Sequence, residues 1–212
     1  MKKDLVIVGL FACLSLASCG SGGKDKNDSQ TTDEAAAVEN KSDEGNSAEA
    51  KNARWEQRKA KGDTLAMPYK DLQAYFPDIS GYIKDGGPKG SQMNLLGMGS
   101  LSEAEQDYTA ADKRVSIKIV DYNAAWQTFQ GITAIYSMGF STEDDTKKEA
   151  QADVGIKDVY AYQTTFKVEK KSELVLVVAE RFYITLNSEG ENSESFLKGI
   201  AKNMKLDKLA SL

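Results

Sequence analysis

From Glu103 to Tyr122 apolar and polar side chains alternate in two runs. Ala104, Gln106 and Tyr108 share one side of the first run, and Val115, Ile117 and Ile119 share one side of the second. A period of two is the mark of a half-buried strand, so the pair predicts a β-hairpin turning at Ala111-Asp112-Lys113. The period then changes. Ala125, Phe129, Ile132 and Tyr136 recur at i, i+4, i+7 and i+11, which predicts a helix capped by Asn123 and closed at Gly139. Further along, Val159 to Phe166 reads as a strand, Lys167 to Lys171 as its turn, and Glu173 to Ala179 as a second strand. Arg181 to Asn187 makes a third. Leu174 to Val178 is apolar on both faces, the composition of a central strand covered on both sides. A turn at Gly190 leads to a helix near Ser193 to Met204, with Phe196, Ile200 and Met204 inward.

Ahead of these units, Pro68 starts a helix that runs to Phe76 with Tyr69, Leu72 and Tyr75 on one face, and Pro77 ends it. Gly81 to Gly99 holds six glycines and one proline, which predicts loop with at most short strands such as Met93 to Leu96. The sum is an α+β domain: a mainly antiparallel sheet of about five strands with helices packed on one or both faces.

The first nineteen residues follow other rules. Lys2 and Lys3 precede Leu5 to Leu16, a run of apolar and small residues with Ser15 as its polar member. Twelve residues span about 18 Å as a helix, short of the ~30 Å hydrocarbon core, so the run reads as an export signal. Next comes Leu16-Ala17-Ser18-Cys19, which resembles a bacterial lipobox at all four positions. That resemblance implies a signal peptide over residues 1–18, cleavage before Cys19 and acylation of its sulfur. It also implies a lipid anchor in the cell envelope, and Gly20 in place of an inner-membrane Asp signal implies outer-membrane delivery. Two or three acyl chains hold a protein stably, whereas one does not.

Composition sharpens the picture. Both cysteines, Cys13 and Cys19, lie in this leader and histidine is absent, which excludes Ser-His-Asp and Cys-His chemistry and any His-ligated metal. Residues 20–51 contain no aromatic, Leu or Ile and are rich in acids, so 19–51 is expected to be a disordered tether. Residues 52–64 follow as a short helical lead-in around Trp55, and the single domain fills 65–212. Over that domain 17 basic residues face 21 acidic ones, which gives nucleic acid no attractive surface. The order of elements has a resemblance to the PsbP-like α/β/α sandwich. Gly62-Asp63-Thr64, Leu72 to Pro77, Gly81-Tyr82 and Asp121-Tyr122 resemble motifs of uncharacterised bacterial lipoproteins, a family that implies no activity.

Candidate chemistry is sparse. Ser195 and Lys198 have the spacing of a Ser-Lys pair, but they lie off the face set by Phe196 and Ile200, and no Lys-Thr-Gly or Ser-Asp-Asn segment accompanies them. Asp85 to Ser91 has the glycines of an anion-binding turn without the ending of a phosphate loop, and reads as a surface turn. Glu143, Asp144, Asp145, Glu149 and Asp153 lack calcium-loop spacing, and read as acids at a helix start. Tyr82, Tyr122, Trp126, Tyr160, Tyr162, Phe182 and Tyr183 read first as core and second as the lining of a groove. No catalytic residue, metal or cofactor is expected, and Cys19 is the one assigned site. Three functions stay open. The leading one is a non-enzymatic accessory domain that binds an envelope protein or cell-wall component and reaches the membrane through Cys19. The others are a carrier of a small apolar or glycan ligand in an aromatic pocket, and an enzyme built without His or Cys.

Overall fold

The computed structural model describes residues 48–95 and 99–212, so the signal segment 1–18, Cys19 and most of the expected tether lie outside the described residues. The described chain folds as α+β around a mainly antiparallel sheet. Nine strands form it: β1 (Ile83–Lys84), β2 (Lys89–Leu95), β3 (Gly99–Ala110), β4 (Lys113–Asp121), β5 (Thr142–Glu143), β6 (Lys147–Ala152), β7 (Val159–Phe166), β8 (Lys171–Val178) and β9 (Phe182–Glu189). Their spatial order is β1, β3, β4, β9, β8, β7, β6, β5, with β2 also paired to β3. Every neighbouring pair is antiparallel.

About five strands were expected and nine are present. The four additional strands, β1, β2, β5 and β6, lie toward the two edges of the sheet, and of these only the end of β2 was expected, as a short strand over Met93 to Leu96. Lys89 to Asn94 are exposed throughout and Lys147 to Ala152 differ little between their two sides, so neither stretch carries an apolar alternation. Gly81 to Gly99, expected as loop, therefore contains a seven-residue strand. Within it, a Cβ on Gly90 would meet the Tyr69 ring at 2.5 Å and the Glu103 carbonyl oxygen at 2.8 Å, so glycine is what lets β2 pass this close.

The central strands build the core. Register places Ile119 beside Ile184, Ile184 beside Leu176 and Leu176 beside Ala161, a ladder of apolar side chains on one face. Over it pack Leu72 of α2 (Tyr69–Leu72), Leu197, Ile200 and Ala201 of α4 (Glu194–Lys202), and Leu206 and Leu209 of α5 (Leu206–Ala210). A fully buried Leu or Ile contributes roughly 1.5–3 kcal/mol, so this cluster supplies most of the stabilisation.

The opposite face carries a smaller aromatic cluster. Val177 packs there with Trp126 and Phe129 of α3 (Trp126–Thr133), against which Tyr122, Tyr136, Tyr160, Tyr183 and Trp55 lie partly buried. β8 thus alternates as its sequence predicts, with Leu174, Leu176 and Val178 on the large cluster and Val177 on the small one.

Helices differ from expectation in detail. α2 is one turn continued by a 3-10 turn over Gln73–Tyr75, and α3 gives way to a 3-10 segment at Ala134–Met138. That leaves Ile132 exposed instead of buried in the stripe, with Ile135 exposed beside it. In α4 Ile200 faces inward as expected and Met204 just beyond the helix is buried too, but Leu197 is buried beside them while Phe196 lies at the margin. α1 (Ala48–Ala60) begins inside the stretch read as tether, and it is fastened to the sheet's second face by stacking of Trp55 on Trp126, centroids 6.4 Å apart. No helix of the described residues is long and apolar enough to cross a membrane.

Two substitutions check this layering. Leu176→Asp and Val177→Asp each bury an unpaired charge, on opposite faces, so both should lose several kcal/mol by denaturant unfolding, Leu176→Asp the more. An unchanged melting temperature for Val177→Asp would show that α1 and α3 do not cover that face.

Candidate functional site

A single turn between β8 and β9 organises the second face. Its residues are Ala179, Glu180 and Arg181, and the first two hold φ of 51° and 53°, left-handed backbone that glycine or asparagine usually supplies. The two non-glycine residues cost about 1–2 kcal/mol each, and contacts on every side keep them there.

Arg181 is the first of these contacts. Its guanidinium is buried and donates to both oxygens of the buried Asp121 carboxylate, Nε to Oδ1 at 3.0 Å and Nη2 to Oδ2 at 2.8 Å. Nη1 donates to Asp63 at 3.0 Å. Asp121 also accepts the backbone N–H groups of Met67 and Asn123, at 2.7 and 2.8 Å. Two charges taken out of water are costly unless such geometry and extra bonds compensate.

Asn123 extends the network. In place of the expected helix cap, its amide donates to Asp63 and to the carbonyl of Leu65, at 2.7 and 3.1 Å. Its oxygen accepts from Arg58 Nε of α1 at 3.1 Å, and Arg58 donates on to the carbonyls of Ala179 and Glu180. The network therefore ties α1 and residues 63–67 to the ends of β4 and β8.

Glu180 lies in the wall of a partly open cleft of about 260 Å³ between α1, α3 and the sheet. Lys51, Trp126, Phe129, Tyr136, Tyr160 and Val177 are among its walls. Glu180 is only 2% exposed, and neither carboxylate oxygen has a hydrogen-bond partner. Its nearest ion-pair partner, Arg54 of α1, stands 3.6 Å away and also faces Asp158 at 3.5 Å. Burial pushes the Glu180 carboxyl above its ordinary range, opposed by Arg54, Lys51 and Arg58. Burial likewise lowers the Lys51 amine, which sits 5.9 Å from the centre of the Tyr160 ring.

The sequence candidates fall in different places. Of the seven aromatics, Trp126 and Tyr160 line the cleft, while Tyr122 and Tyr183 pack in the surrounding cluster. Tyr162 stacks on Phe140 beside it. Phe182 is buried on the far face, where Tyr82 packs on Phe196. Ser195 is exposed and Lys198 half-buried on α4, and Lys198 lines a shallow polar pocket with Lys148, Gln163 and Glu194 that does not include Ser195. Lys89, Gly90 and Ser91 lie in β2, so their N–H groups belong to a strand and do not converge on an anion.

The acids after Ser141 form a hairpin and no helix. Asp144 caps its turn by accepting from Thr146 and Lys147, which lowers its carboxyl to about 2. Glu143 pairs with Lys167, and Glu149 with Lys147. Among the described residues no group of His, Cys, Asp and Glu could hold a metal ion.

Glu180 and Arg181 escaped the sequence reading because they looked like the polar ends of two strands. The available signal was the pair of short motifs at Gly62-Asp63-Thr64 and Asp121-Tyr122, whose two acids meet on Arg181. Compared with protein-family models the chain matches none, and no curated protein matches it either.

Arg181→Met should cost about 3–5 kcal/mol of unfolding free energy, since Asp121 would stay buried without its cation. The exposed Arg114→Met should cost under about 1 kcal/mol. Equal melting temperatures for the two variants would remove the network from its structural role. Glu180→Gln should instead stabilise at neutral pH. The wild-type carboxyl ionises at higher pH when folded than when unfolded, so its charge opposes folding above about pH 4.5. The advantage of Gln is full above the folded-state pKa and gone below that of the unfolded chain. A gain of the same size at pH 4 and pH 8 would contradict this cause.

Proposed function

We propose that this chain is a lipid-anchored binding protein of the bacterial cell envelope, which holds a small ligand in the cleft beneath α1 and α3 and does not transform it. The observation that carries the binding reading is the Glu180 carboxylate: 98% buried, aromatic-walled, held by a strained turn and lacking any hydrogen bond. A polar group kept dry and unsatisfied costs free energy that a ligand donor recovers, and strained backbone concentrates at such sites. The cleft falls below the roughly 300–1,000 Å³ of sites for drug-sized molecules, so the ligand is compact. It is also partly open, neither the closed cavity nor the fully packed interior that would separate carrier from non-carrier outright.

Anchoring rests on Leu16-Ala17-Ser18-Cys19 following the apolar run Leu5 to Leu16. Residues before α1 then form the link between lipid and domain, and Gly20 favours the outer membrane. A second reading, docking on an envelope protein or cell-wall component, is favoured by the apolar side chains Ile132, Ile135 and Met138, the last 80% exposed.

Metabolic labelling with a palmitate analogue tests the anchor. Wild type should take up label and fractionate with membranes, whereas Cys19→Ala should remain an unlabelled precursor. Equal labelling of the two would end the lipoprotein reading.

A further inference from the structure

The walls of the cleft carry three kinds of chemistry in one small volume. At one place is a carboxylate with unused acceptor capacity, Glu180. Lys51, half-buried over Tyr160, supplies a primary ammonium donor. Trp126, Phe129, Tyr136 and Tyr160 supply aromatic surface. A purely apolar ligand would leave both Glu180 oxygens without a hydrogen bond, faced only by the Arg54 ion pair at 3.6 Å. A plain anion would serve Lys51 and be repelled by Glu180. A cation alone would satisfy Glu180 and gain from the ring faces, but would meet Lys51, Arg54 and Arg58. A molecule with an ammonium, a carboxylate and a flat apolar body suits all three.

We propose that the cleft binds a compact zwitterion of the apolar α-amino acid type, its ammonium donating to Glu180, its carboxylate accepting from Lys51 and its side chain lying among the rings. This rests on the cleft being the binding site. It adds what the cleft binds and which residue takes which end. The ammonium and the carboxylate share one carbon, so Glu180 and Lys51 together fix the polar end of the ligand and leave its apolar end to the rings.

The protein supplies its own reporter. The chain has two tryptophans, Trp55 and Trp126; Trp126 lines the cleft and Trp55 stacks on it. The mature chain, held in nanodiscs with empty nanodiscs as blank, is titrated with four probes: L-phenylalanine, phenethylamine, 3-phenylpropionate and propylbenzene. Excitation on the red edge of indole absorption reads the tryptophans alone. Phenylalanine should bind at least roughly tenfold more tightly than any of the other three. Glu180→Gln should collapse its advantage over 3-phenylpropionate, and Lys51→Met its advantage over phenethylamine.

Phenylalanine binding no tighter than 3-phenylpropionate would overturn the role of Glu180 and with it the proposal. Saturable binding of propylbenzene alone would overturn the ligand class while leaving the cleft as a binding site. Saturable binding of none of the four would overturn both.

Discussion

The buried pair of Arg181 and Asp121 is what the second face of this protein depends on. It brings together two acids and a guanidinium that lie 60 and 118 residues apart in the chain, with a backbone N–H from residue 67 added to the carboxylate. Desolvating such a pair costs several kcal/mol, and it is offset by four hydrogen bonds accepted by the Asp121 carboxylate and three donated by the guanidinium. The apolar cluster on the first face would hold the sheet together without it. The path of residues 58–67, and therefore the position of α1 over the aromatic cluster, depends on it.

From the same turn comes the opposite situation. Arg181 is over-provided with partners and its neighbour Glu180 has none by hydrogen bond. The two are linked mechanically, since the backbone that lets Arg181 reach Asp121 is the left-handed pair Ala179 and Glu180, whose carbonyls Arg58 holds. A relaxed turn with glycine at these positions would fold more easily, and it would not set a carboxylate in the wall of the cleft. Strain, burial and missing hydrogen bonds coincide at one residue of the cleft wall.

How much of this was legible follows from what each signal encodes. β4, β7, β8 and β9 were readable because their side chains meet different environments on the two faces, and the apolar run Leu174 to Val178 announced cover on both. β2 and β6 were not, since an edge strand with similar exposure on each side has no period to detect. Asn123 looked like a cap because helix starts favour it, but tertiary contacts to Asp63 and Leu65 outbid that local role. Aromatic residues signalled a core or a groove without saying which; Trp126 and Tyr160 line a cleft while Phe182 is fully enclosed. Ionic pairing between distant positions leaves no trace in a single sequence beyond charged residues where strands end.

α1 has one further consequence. It forms one side of the cleft through Lys51, and it is also the element through which the polypeptide arriving from Cys19 enters the domain. On the proposed anchoring, tension along that link would act on α1 before any strand, against the Trp55 stack and the contacts of Arg54 and Arg58. Loaded one after another, these contacts would let the helix peel from its first turn, with Lys51 leaving the cleft first. Occupancy of the cleft and slack in the leash would then be linked variables: a bound molecule engaging Lys51 would resist peeling, and a taut link would shorten its stay.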